Sequence, residues 1–208
     1  MHDAFGLRDA FDKQSLSEVK SHTKQFILQK LSAGDELVCL MHPLGFLMSK
    51  LAETSSGETL RLHIWSPEYR VRQEPYWPIH DHIFSYQSCV LIGRLRHIEY
   101  TVRPTDRDRI VYTVQYVGQR SNLLRTQSGV RVVDSNVENH PAGTLYSMNA
   151  GIFHETIVAD HETTVTAMLA TPPSSSAPRV LGDLDGGPSY SYDRRGVAIP
   201  LTDILASF

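Results

Sequence analysis

The residues best placed to do chemistry are His80 and His82, in the stretch Pro78-Ile79-His80-Asp81-His82. In an extended chain, residues i and i+2 project from one face, roughly 6–7 Å apart along the strand. Two imidazoles so placed can close on one ion, at about 2.0–2.1 Å per metal–nitrogen bond for zinc and similar ions. A third ligand must come from elsewhere, and His154 is the best candidate. Asp81 falls on the other face of its strand and is expected to brace a loop or orient a neighbour, as groups behind ligating imidazoles commonly do.

Other residues are candidates for contact with a substrate. Gln87, if it points inward, offers a weak fourth ligand or a hydrogen-bond donor, and Tyr86 then faces outward. A one-residue bulge exchanges the two. Arg61 and His63 share a strand face and can reach inward to bind an anionic substrate. His97 and Glu99 are expected on a solvated polar face. His140, Glu155 and His161 read as surface residues.

Composition sets the limits. The chain has 208 residues, 41% hydrophobic and 21% charged, which describes an ordinary globular protein with a sizeable core. A net charge of −3 gives no reason to expect nucleic acid or an anionic membrane as partner. Cys39 and Cys89 lie in apolar surroundings and read as small buried hydrophobes. The first residues lack a basic segment followed by an apolar run, and the longest apolar stretch, Leu37 to Met48, is broken by His42-Pro43. A cytoplasmic location is therefore the expectation.

The elements that must position these residues change character along the chain. Residues 15 to 32 read as an amphipathic helix opened by the capping-box pattern Ser15-Leu16-Ser17-Glu18 and closed by Gly34. A second helix is expected from Pro43 to about Ala52, burying Leu44, Phe46, Leu47 and Leu51. From Glu58 onward the period becomes that of strands: Leu60, Leu62 and Ile64 alternate with Arg61, His63 and Trp65. Ser66 to Trp77 reads as an irregular loop. Strands are then expected near 83–92, 95–102, 110–117, 120–126, 129–134, 143–148, 153–159 and 163–170, divided by glycines that include Gly129. Short strands at this spacing point to an antiparallel sandwich or barrel. The expected organisation is a helical segment over 1–57, a barrel over 58–172, and a C-terminal arm over 173–208 that carries a short helix. The helical ends and this arm could supply a homodimer contact.

The two histidine-bearing stretches resemble the cupin superfamily. Its first motif is His-x-His, then Glu after three or four residues, then Gly; here His80, His82 and Gly93 match, and Tyr86 or Gln87 stands where Glu is usual. Its second motif is matched by Gly143, Gly151 and His154, with Asn149 in place of the usual Pro. Within cupins the wording is similar to the cysteine dioxygenase group, in His80-Asp81-His82, the run Val90 to Leu95, and a last strand ending at Pro172-Pro173.

That resemblance implies a mainly β, jelly-roll barrel and a non-haem iron(II) held by His80, His82 and His154 without a carboxylate. Zinc, copper, nickel and manganese are the other metals such a site could take. Cysteine dioxygenases carry a His and a Tyr near the positions of Met168 and Ala170, and a substrate-gripping Arg near Met48. Their absence points to a small organic substrate other than cysteine. The function expected is an iron(II)-dependent oxygenase acting with dioxygen. The alternatives are a redox-neutral isomerase or lyase, and a cupin that only binds a small molecule.

Overall fold

The structure is a computed structural model that describes residues 4–32 and 37–199. Two helices come first. Helix α1 (Ala4–Asp12) precedes α2 (Leu16–Ser32), and the amide of Val19 bonds the Ser15 carbonyl at 2.9 Å, so α2 starts where the capping pattern placed it. Gly34 lies outside the described residues, as does the short helix expected after Pro200.

Thirteen strands follow among the described residues. The first seven are β1 (Val38–His42), β2 (Phe46–Glu53), β3 (Thr59–Trp65), β4 (Tyr86–Ile92), β5 (Arg94–Arg103), β6 (Arg109–Val117) and β7 (Arg120–Pro141). Then come β8 (Leu145–Met148), β9 (Phe153–Ile157), β10 (Thr164–Ala170), β11 (Arg179–Gly182), β12 (Ser189–Asp193) and β13 (Gly196–Ala198). They form two antiparallel sheets. The first runs β13-β1-β2-β3-β10-β4-β8; the second runs β11-β6-β7-β5-β9, with β12 paired to β7. This is the jelly-roll arrangement of two facing sheets, with the helices as an added layer.

The helices explain the pattern in the first sheet. Leu7, Ala10 and Phe11 of α1 and Val19 and Ile27 of α2 pack on Leu47, Leu51, Leu60, Leu62, Cys89 and Ala167. Alternate residues of the same strands, such as Phe46, Met48, Arg61 and His63, face a cavity between the sheets. Both cysteines are free and fully buried, and burial pushes their thiols up to about 12 for Cys39 and about 11 for Cys89. Inert apolar packing is their role here.

Three expectations fail. Residues 46–53 form a strand, not a helix. Leu44, Phe46, Leu47 and Leu51 imitate helical spacing because this strand is covered on both faces, which erases the alternation of apolar and polar residues. Residues 120–126 and 129–134 belong to one strand, β7, which pairs first with β6 and then with β5. Gly129 lies at a register irregularity in the β6–β7 pairing, not at a turn, and a Cβ there would stand 2.9 Å from the Arg109 carbonyl oxygen.

The third failure concerns the organisation of the chain. Strands β1 and β2 sit in the same sheet as β3, so the boundary expected at residue 58 cuts through a sheet. From Arg179 to Ala198 the chain is not a free arm, because β11, β12 and β13 pair with β6, β7 and β1 respectively.

Candidate metal centre

His80 and His154 are held by their own backbones. They form an isolated antiparallel bridge, each amide donating to the other's carbonyl at 3.0 and 2.8 Å. The His82 carbonyl accepts from the Gly151 amide at 2.8 Å. Gly151 has φ +80°, a conformation that favours glycine, so the turn before His154 closes tightly on the His80–His82 segment. Sequence-distant histidines are thus fixed side by side by the backbone.

The ring contacts fix the tautomers. His80 Nδ1 lies 2.8 Å from the Pro78 carbonyl oxygen, and His154 Nδ1 lies 3.0 Å from that of Ile152. A carbonyl only accepts, so each Nδ1 carries the proton and each Nε2 keeps its lone pair for a ligand. Ring centroids are 5.0 Å apart for His80 and His82, 4.5 Å for His80 and His154, and 5.0 Å for His82 and His154. One ligand atom from each lies within 4.8 Å of the others. Two bonds of about 2.1 Å span somewhat less than that, so a small inward closure completes the set. Burial holds all three imidazoles below their ordinary pKa, and the neighbouring histidines lower His82 and His154 further. Neutral rings are what a metal needs.

Asp81 braces this group from behind. Its buried carboxylate accepts from the Arg179 amide and from Arg179 Nε, each at 2.6 Å. The same guanidinium reaches the Gly151 carbonyl at 3.3 Å and lies 4.7 Å from the centre of the Phe153 ring. One arginine from β11 therefore ties the His80–His82 segment to the turn that presents His154.

No family model matches the chain, and no curated protein does. Among solved structures it is similar to that of the DMSP lyases RdDddP and RnDddQII, at 12% identity and a TM-score of 0.36. The match covers 64% of this chain and 51% of that one, so the chain spans about half the length of that structure. At this level neither the activity nor the ligand of that enzyme carries over.

The histidines line a cavity of about 520 Å³. Tyr86 faces it: its ring is 5.7 Å from that of His82 and 6.5 Å from that of His154. Gln87 does not. It turns to the helical layer, where Nε2 reaches the Asp12 carboxylate at 3.3 Å. The reason is alternation along β4, which turns Tyr86 and Ser88 to the cavity and Gln87 to the other face. Arg61 and His63 both line the cavity. The Arg61 guanidinium lies 4.5 Å from the Phe84 ring, which in turn stacks on His82 at 4.8 Å. Burial, then the nearby Arg61 charge, depress His63 to about 3.

Two histidines expected at the surface are interior. His97 is 2% exposed, 5.2 Å from the His154 ring, and its ring nitrogens have no hydrogen-bond partner among the described residues. His140 is 5% exposed and stacks on Tyr146 at 4.3 Å. His42, Tyr76, Tyr116 and Arg194 also line the cavity. The sequence singled out none of His42, which precedes the helix expected from Pro43, Tyr116, on the strand expected over 110–117, or Arg194, in the expected arm; Tyr76 belongs to the aromatic loop Ser66–Trp77 beside His80. The alternation of His42, Leu44 and Phe46 was the available signal.

Proposed function

We propose that the protein is a three-histidine, metal-dependent oxygenase of cupin type, with iron(II) held by His80, His82 and His154. The observation that carries this reading is three neutral imidazoles converging on one wall of a large cavity, with no Asp or Glu among the described residues that line it. Iron(II) in such a set would supply the one-electron and dioxygen chemistry that side chains lack. Imidazole suits iron, and a ligand set of three leaves positions open.

The chain's own residues do the rest. Phe46, Trp65 and Tyr146 line the cavity and exclude water from the reacting groups. Tyr86 sets its ring beside His82 and His154, and its hydroxyl donates to Met148 Sδ at 3.9 Å. Burial raises its pKa well above the ordinary value, so it stays protonated and donates. Arg61 and His63 contact the substrate from β3, His63 as a neutral ring. Gln87 has no part in the site.

A redox-neutral isomerase or lyase would use the same three ligands, the metal acting as a Lewis acid and its bound water as the base. The test is elemental analysis of protein purified without added metal, followed by oxygen uptake with a panel of organic substrates after iron(II) loading. Bound iron and substrate-dependent oxygen consumption are expected. Protein that binds no iron and consumes no oxygen with any substrate would overturn the proposal, and turnover without oxygen would establish the redox-neutral alternative.

A further inference from the structure

We propose that the cavity takes an organic anion: a bulky, largely apolar molecule whose oxyanion, foremost a carboxylate, is held by Arg61 and Arg194. This rests on the reading above for the site's location, and names the class of molecule that enters it.

The charge balance of the lining carries the inference. Its charged residues, among those described, are Lys50, Arg61 and Arg194, all cationic. Lys50 is ion-paired with Glu53. Neither Arg61 nor Arg194 is ion-paired with any carboxylate among the described residues. Arg61 Nε donates to the Thr59 hydroxyl at 3.0 Å, a neutral partner. Arg194 Nε is buried without a partner among the described residues, and its guanidinium lies 5.0 Å from the Tyr116 ring centre. Aromatic faces hold a guanidinium in place but do not neutralise it. Guanidinium does not shed its proton in proteins, so both charges persist.

Arg61 on β3 and Arg194, between β12 and β13, line the same cavity. Two cations facing one cavity that no carboxylate lines, among the described residues, call for an anion there. A planar oxyanion matches the guanidinium fork and can accept two parallel hydrogen bonds. The body of the molecule meets Leu40, Phe46, Met48 and Met168. A volume of about 520 Å³ lies within the range that holds drug-sized ligands, well beyond the needs of a free amino acid.

The test uses the full chain, both metal-stripped and zinc-loaded, with three probes of one shape: 2-naphthoate, 2-naphthalenesulfonate and 2-naphthalenemethanol. Calorimetry is expected to give an affinity for at least one of the anions that is about tenfold or more above that of the neutral alcohol. Arg61→Gln and Arg194→Gln should each remove about that factor and leave alcohol binding unchanged. Arg194→Lys, which keeps the charge, should retain part of the preference, and circular dichroism checks that each variant is folded. Equal affinity for acid and alcohol, no detectable binding of either anion at millimolar concentration, or an unaltered preference in folded arginine variants would each overturn the proposal. The metal-free arm separates the two readings. An arginine-dependent preference in protein that takes up no metal refutes the oxygenase alone; metal uptake without the preference refutes the anion site alone.

Discussion

At the scale of single residues, the site depends on imidazoles that are neutral because they are buried. His154→Ala removes a donor whose ring is already oriented by the Ile152 carbonyl, so metal affinity should fall by at least the roughly 10–100-fold lost when mere supporting groups are removed. Equilibrium dialysis against zinc and iron(II) measures it; retention of full metal content would exclude His154 as a ligand. A second outcome concerns pH. His63 is held at about 3 in the folded chain, against an ordinary value of 6.5. Below pH 6.5 the unfolded chain therefore binds a proton that the folded chain refuses, and stability drops as pH falls from 6.5 towards 3. The slope for this one residue approaches about 1.4 kcal/mol per pH unit. Urea unfolding of metal-stripped protein between pH 7 and 4 should show a shallower acid loss in His63→Gln than in the parent. Identical slopes would mean that His63 is protonated in the fold.

At the scale of elements, the candidate ligands are placed by backbone pairing and by one brace. Asp81 is 3% exposed and accepts twice from Arg179, whose side chain is 41% exposed. Asp81→Ala is expected to cost about 1–3 kcal/mol, the lower range because the released guanidinium can reach water. Metal affinity should fall with it although no ligand has changed, and thermal melts with and without zinc would show both effects. A variant that melts earlier yet binds zinc as the parent does would show the brace to be structural only. Asp81 is also where the sequence was informative: its place between two candidate ligands pointed to a supporting role. Periodicity served equally well at β3, where polar Arg61 and His63 interrupt Leu60, Leu62 and Ile64. It failed at β2 because α1 and α2 cover Leu47 and Leu51 on one face while Phe46 and Met48 line the cavity on the other, so apolar residues occur on both faces. The sequence left open which of Tyr86 and Gln87 faces inward, because the bends at Ile83 and Phe84 break the alternation between His82 and β4.

At the scale of the whole molecule, the last described segment completes the site instead of trailing from it. Composition hid this, since the run Pro172 to Pro178 has the proline and serine content of a linker. Residues 179–198 then supply strands to both sheets: β11 and β12 to the second, β13 to the first. They also bring Arg179 to Asp81 and Arg194 to the cavity. A chain ending at Pro178 would lose all three strands and uncover Tyr112, which is fully buried and donates to the Gly187 carbonyl at 2.8 Å. Such a chain is expected to lack one cooperative unfolding transition, to take up no stoichiometric zinc, and to be cut rapidly by protease within β6 and β7. A removable arm predicts the opposite, namely a truncated protein that melts sharply and binds metal like the parent. Calorimetry and metal analysis of the two chains decide between them, because the candidate metal ligands, His80, His82 and His154, are present in both.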